Sequence, residues 1–318
     1  MSPLNYRKLS RFDETELIEE ILKRQIEGWQ KQPSLLPVDR IFPLFGNPGV
    51  GSTYLLQYLA EKHNGVLIDL KTRLLDHATH VAFIQSCRQK IESERTRKGM
   101  KKLFLIDHVP EGNDDIYLDE FQDQILLPYL KQESFFVMSQ QDPDRWCWDP
   151  SLPHTPPYVL HGFAASHKND VLKGLAIGRM PVSELEKKLF SMKEIYPLMA
   201  QKWDDLNGDI DRACEEFLGH WIAQVEPIPA EEQRRELKIA GAMSWLDSLI
   251  DSDEVRQIAM AVGEEVGFED LRQTLGSRRW TAAFGRWGEP VRTILNAWFR
   301  CAEPELAKKL DAQFGGGS

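Results

Sequence analysis

The stretch GNPGVGSTYLL, Gly46 to Leu56, carries residues whose types and spacing could hold phosphate. A loop that cradles phosphates reads G-x-x-x-x-G-K-[ST]. Its glycines let backbone N–H groups approach the oxygens, its lysine reaches the outer phosphates, and its hydroxyl meets magnesium. Gly46, Gly49, Gly51 and Thr53 stand where that pattern requires them, and Pro48 makes the G-x-P-G-x-G variant. The candidate phosphate-binding residues are therefore Gly46, Asn47, Gly49, Val50, Gly51, Ser52 and Thr53. The lysine is missing, and Ser52 holds its place. A serine hydroxyl donates one neutral hydrogen bond, and a charge-assisted one is roughly twice as strong.

A second group follows one strand-and-helix unit later. LFLIDHV, Leu103 to Val109, is an apolar run ending in Asp107. A carboxylate at the end of such a strand can hold a magnesium ion beside the phosphates, so Thr53 and Asp107 are the candidate metal residues. Arg40 and Lys71 are the cations near enough in sequence to stand in for the lysine. Glu111 could serve as a base, against the plainer reading of a loop carboxylate.

The surrounding elements supply the context this chemistry needs. RIFPLFG reads as a buried strand leading into the loop, and STYLLQYLAEKH as a helix leaving it, stopped by Asn64 and Gly65. GVLIDL, KKLFLID, SFFVMS and PPYVLHGF are further strand candidates, separated by helical stretches. Strands alternating with helices imply crossover units and a parallel sheet covered on both faces. An amphipathic helix with Leu17, Ile18, Ile21, Leu22 and Ile26 on one face precedes them. Beyond Ala164 the pattern turns helical, with VEPIPAEEQ as the clearest linker. SRRWTAAFGRWG reads as a short ribbon before the helix EPVRTILNAWFR.

Composition bounds the function. The chain has 318 residues, 42% of them hydrophobic and 28% charged, with a net charge of −10. That balance argues against wholesale coating of nucleic acid or anionic membrane. No apolar run approaches the roughly 20 residues of a membrane span. The N-terminus lacks the apolar core of a secretory signal, so a cytoplasmic location is expected. Cys87, Cys147, Cys214 and Cys301 form no C-x-x-C pair, which predicts free thiols rather than a zinc site.

GNPGVGST, LFLIDHV, the strand FFVMS and the helical motif IYPLMAQKW, in that order, resemble the STAND class of P-loop NTPases. That class is related to the NB-ARC, NACHT and Orc-type ATPases. The resemblance implies an α/β P-loop domain over residues 1–163, a helical domain over 164–225 and a winged helix over 226–314. Residues 315–318, GGGS, are set aside as a linker or tag. It also implies ATP or ADP with magnesium as the ligand.

The departures from the family pattern matter most. Besides the lysine, the acid expected after Asp107 is replaced by His108, and Pro197 of the helical motif follows Ile195 where a glycine would stand two residues before it. No arginine follows the strand FFVMS until Arg145, and no histidine occurs after His220. Phosphoryl transfer depends on positioning and charge neutralisation, so hydrolysis is expected to be weak or absent.

The sequence thus favours a degenerate ATPase-like module that regulates or scaffolds through protein partners, by analogy in bacterial defence or signalling. Weak nucleotide binding and an empty, purely structural loop both stay open. One alternative is a slow ATP-driven conformational switch. Another is a DNA-binding regulator using Arg272, Arg278, Arg279, Arg286, Arg292 and Arg300 with Trp280, Trp287 and Trp298. Against the latter stands a structural reading in which the tryptophans form a core and the arginines pair with upstream carboxylates.

Overall fold

The computed structural model describes residues 14–31, 40–72, 77–98, 102–109, 116–140, 148–149, 151–152, 154–164, 194–206, 208–246, 252–262, 268–285 and 288–314. Two units result, Met1–His161 and Gly162–Ser318. Among the described residues no helix is long and apolar enough to cross a membrane.

In the first unit, helix α1 (Glu14–Lys31) precedes β1 (Ile41–Phe45), α2 (Ser52–His63), β2 (Val66–Asp69), α3 (His77–Lys98) and β3 (Leu103–Val109). Then come α4 (Ile116–Phe121), a π-helical turn (Gln122–Leu126), α5 (Leu127–Lys131), β4 (Phe135–Gln140) and the short β5 (Tyr158–Val159). The five strands form one parallel sheet in the order β2-β3-β4-β1-β5. β1 and β4 are buried throughout, as strands with helices on both faces should be, and the burial extends to Ser139 and Gln140 at the end of β4. Pro43 is tolerated in β1 because β5 pairs only with Leu44 and Phe45, leaving β4 as the one ladder beside it.

The sheet faces alternate along each strand. Ile41, Ile68, Phe104, Ile106, Phe136 and Met138 join Ile84 and Ile91 of α3 and Phe121 of α4 in one core. Helix α2 packs chiefly on β3 and buries Leu55, Leu56 and Leu59. The chain leaves β1, passes to the far edge at β2, then returns through β3 and β4. Right-handed crossovers in these two directions put α2 on one face and α3 to α5 on the other. Asn64, in the left-handed region at φ 54, ends α2 with its N–H bonded to Ala60 O. Gly65 follows because a Cβ there would lie 2.8 Å from Leu105 Cδ1.

The N-terminal helix buries Leu22 and Ile26 and donates from Trp29 Nε1 to Glu133 O at 2.7 Å. The RWCWDP segment is a packed connection where it is described. Trp148 is buried, its ring 6.1 Å from that of Phe121, and Gln122 Oε1 in the π-helical turn accepts the Asp149 N–H. Trp148 is therefore core and not an exposed anchor for a partner. Arg145, Trp146 and Glu111 lie outside the described residues.

The second unit holds an antiparallel pair, β6 (Phe163–Ala164) with β7 (Glu194–Ile195). Helices α6 (Pro197–Asp205), α7 (Ile210–Val225), α8 (Ala230–Met243), α9 (Ser252–Val262), α10 (Phe268–Gly276), α11 (Arg278–Phe284), α12 (Glu289–Ala302) and α13 (Pro304–Phe314) follow. Pro197 opens α6, where a missing N–H costs nothing. The helices expected over HKNDVLKGLA and VSELEKKLFSM lie outside the described residues.

Two expectations change here. The ribbon read from SRRWTAAFGRWG is helix α11 over Arg278–Phe284, and among the described residues no strand follows Ile195. VEPIPAEEQ is a short turn between α7 and α8 rather than a boundary. Helix α7 packs against α6, α11 and α12, so segments on either side of residue 226 share one helical body.

A buried charge cluster joins these helices. Arg279 is 6% exposed. Its Nε and Nη2 donate to Glu236 Oε2 and Oε1 at 2.8 and 3.0 Å, and its Nη1 donates to Glu226 O at 3.0 Å. Trp280 Nε1 donates to Glu236 Oε2, and Trp221 Nε1 to Arg279 O. Tryptophans and arginine thus build the core together. Arg300 similarly forks onto Asp311 while lying over the Trp245 ring at 4.7 Å. Cys87, Cys214 and Cys301 are free thiols. Burial pushes Cys87 up to about 11, and burial followed by the Asp211 contact pushes Cys301 up to about 12.

Removing one partner from a buried ion pair leaves an uncompensated charge. Arg279→Met is expected to destabilise the second unit by about 3 kcal/mol. Urea unfolding followed by tryptophan fluorescence checks this, since Trp221 and Trp280 both bond into the cluster. An unchanged midpoint would show that the pair contributes nothing net.

Candidate phosphate-binding site

The glycine loop lies between the end of β1 and the start of α2, at the C-terminal edge of the sheet. Ligands of open α/β sheets bind outside this edge. The loop leaves β1 with Gly46 N–H donating to Gln140 O of β4 at 3.0 Å. It turns through Val50 N–H to Asn47 O at 3.1 Å, and Leu55 N–H to Gly51 O at 3.0 Å starts the helical ladder. Gly49 and Gly51 take φ values of 88 and 97, a left-handed conformation that side chains resist. The predicted glycines thus sit where the backbone needs them.

Val50 is buried, and its side chain packs inward. A Cβ on Gly46 would stand 2.5 Å from Val50 Cγ1 and 3.3 Å from Leu160 Cβ. Gly46 is therefore required by packing within the loop. Ser52 and Thr53, both half-buried, form the first turn of α2. The N–H groups of that turn have no intrahelical acceptor, and the helix dipole makes the end attractive to anions.

Neither proposed substitute for the lysine is placed to serve. Arg40 precedes β1, at the opposite edge of the sheet, and its Nη1 donates to Leu130 O at 3.1 Å. Lys71 follows β2 at the correct edge, but two strands separate β2 from β1, a distance of about 14 Å at the usual spacing. Its backbone N–H is turned onto Asp69 Oδ1 at 2.9 Å.

At the end of β3 the structure assembles a group that was only partly visible in the sequence. Asp107 is 2% exposed and stands in register beside Asp69 of β2. The β3–β4 ladder shifts between Ile106 and Val109, and within that bulge His108 adopts φ 52. A left-handed residue other than glycine costs about 1 kcal/mol, so something must hold it. His108 N–H donates to Asp107 Oδ1 at 2.9 Å. Its Nδ1 lies 2.9 Å from Asp69 Oδ1 and 3.5 Å from Asp107 Oδ2. Asp69 was missed, although both GVLIDL and KKLFLID end their apolar runs in aspartate. Only strand adjacency makes that coincidence informative.

Thr53 fits a magnesium site by position, being on the first turn of the helix after the loop. Asp107 does not, because its carboxylate is buried against His108 rather than open to a metal's water shell. Among the described residues no group of three or more His, Cys, Asp or Glu side chains could hold a metal ion.

Three of the arginines weighed for nucleic acid are engaged internally, while Arg272 is exposed on α10. Arg279 and Arg300 are held as above, and Arg292 Nη1 donates to Leu246 O. The side chains of Arg278 and Arg286, and Trp287, lie outside the described residues. Trp280 and Trp298 are core.

Gly46→Ala is expected to cost about 1–3 kcal/mol through overpacking against Val50. A lowered melting temperature without any ligand present checks it. An unshifted one would mean that the loop is not packed as described.

No family model and no curated protein sequence matches this chain. Among solved structures, Cdc6p from Pyrobaculum aerophilum matches with a TM-score of 0.43 at 12% identity, covering 94% of this chain and 95% of that one. The C. elegans PCH-2 structure matches at 0.37 and 14% identity, covering 64% of this chain. This chain spans 62% of the PCH-2 chain. The fold described here rests on the strand order and the loop rather than on these likenesses: an α/β P-loop domain followed by a helical one.

Proposed function

We propose that this chain is a regulatory or scaffolding component that works by binding other proteins, built on a P-loop nucleotide fold whose phosphate site has lost its hydrolytic charge. The observation that carries the reading is the pairing of a formed loop with an uncharged Ser52, with neither Arg40 nor Lys71 placed to replace the lysine. Arg40 is bound at the far edge of the sheet, and Lys71 follows β2, with two strands between β2 and β1. A loop of this shape can bind an anion weakly through backbone N–H groups, but it cannot neutralise charge that builds up during phosphoryl transfer.

The STAND class remains the family whose segment order the sequence resembles, and a place in bacterial defence or signalling is proposed on that analogy. A module of this kind needs a partner to supply output. The internal pairing of Arg279, Arg292 and Arg300 supports a protein partner over duplex DNA, since a phosphate-gripping face needs free guanidinium groups.

Calorimetric titration with ATP and ADP in magnesium tests the reading. The unmodified chain is expected to bind at millimolar strength or not at all. Ser52→Lys is expected to tighten binding tenfold or more, the worth of about one charge-assisted hydrogen bond. Micromolar binding by the unmodified chain, with turnover abolished by Asp107→Ala, would instead make it an ATP-driven switch.

A further inference from the structure

The glycine loop and the acid at the end of β3 normally act together through a divalent cation. In this chain the acid is engaged by its own neighbour. We infer that the loop takes its phosphate ligand as the free anion, because His108 holds the carboxylate that would carry the metal's shell. The inference rests on the reading of Gly46 to Thr53 as a phosphate site.

Three observations converge on His108. Its backbone N–H donates to Asp107 Oδ1 at 2.9 Å, and its ring nitrogen Nδ1 approaches Asp107 Oδ2 at 3.5 Å. The same Nδ1 lies 2.9 Å from Asp69 Oδ1, so the ring is tied to β2 as well as to β3. Asp69 Oδ1 also accepts the Lys71 N–H at 2.9 Å, which fixes the carboxylate that fixes the ring. With its proton on Nδ1, the imidazole turns an electropositive edge toward both carboxylates.

Magnesium keeps a near-ideal octahedral shell and gives up water reluctantly, so the acid serving it must face an open, hydrated space. Asp107, 2% exposed and faced by an N–H and a ring nitrogen, offers no such face. To admit the ion, the imidazole would have to leave Asp69 and the bulge would have to reorganise. The side chain at 108 is a base where the family pattern supplies a second acid, so a cation there also lacks its second negative neighbour. The backbone N–H groups of the loop are untouched by this arrangement. A bare phosphate loses none of them.

The test uses the full chain. ATP is titrated into the unmodified protein and into Ser52→Lys, each in excess magnesium and in EDTA. Dissociation constants that agree within about twofold between the two conditions support the inference. Magnesium that tightens either protein tenfold or more overturns it.

A second arm uses manganese alone. Added at a tenth of the protein concentration, it is expected to leave the His108 ring proton resonance sharp, with His108→Asn supplying the assignment because asparagine tolerates the left-handed backbone. His108→Glu is expected to gain manganese binding. Broadening of the His108 signal in the unmodified chain overturns the inference. If no protein binds ATP in either condition, the phosphate reading of the loop fails by itself, and the manganese arm still decides whether Asp107 takes a metal.

Discussion

One backbone hydrogen bond sets the geometry of the site: Gly46 N–H to Gln140 O, the link between the end of β1 and the end of β4. It exists because β4 is inserted between β3 and β1. That order places the loop, Gln140, Asp107 and Asp69 along a single edge, each on its own strand. It also fixes which side chains can cooperate. Asp69 and Asp107 are on adjacent strands and share one histidine, whereas Lys71 is separated from the loop by the width of two strands. Insertion of one strand thus allows the carboxylates to meet and keeps Lys71 away from the loop.

The charge balance at that edge follows. A helix N-terminus contributes roughly half an elementary charge, far below what a triphosphate carries. In a working site the lysine and the metal make up the difference. Here Ser52 replaces one, and the two carboxylates that could recruit the other are turned toward His108. On the proposed reading, the edge keeps the hydrogen-bonding geometry of a phosphate site without its counter-charge, a combination suited to holding an anion loosely rather than to transferring a phosphoryl group.

Much of this was legible in the sequence. The apolar runs IFPLF, LFLID and FFVMS are the central strands, Asn64 and Gly65 end the helix after the loop, and the glycine spacing reproduces the loop's positive-φ positions. These are local signals, and each has a local cause. What escaped were matters of adjacency. Asp69 gains meaning only when β2 pairs with β3, and Arg40 loses it only when the strand direction puts it at the far edge. SRRWTAAFGRWG looked like a ribbon because glycines and aromatics punctuate it. It is helical because Arg279 and Trp280 both reach Glu236, a partner on another helix that no short window of sequence contains.

The packing of the loop bears on how its glycines should be interpreted. Gly46 is crowded by Val50, whose Cγ1 would lie 2.5 Å from a Cβ there, and by Leu160 at 3.3 Å, and those residues belong to the apolar core rather than to a ligand. The loop would keep this shape if it never met a nucleotide, since unit one needs a tight turn between β1 and α2 in either case. Ser52 has no such constraint: it is half-buried on the first helical turn, where lysine would fit the backbone equally well. The glycines therefore report the fold, and position 52 reports the chemistry. A chain that retains the first set and lacks the second has the architecture of a P-loop domain, and the loss of the charge at position 52 is what the proposed binding role rests on.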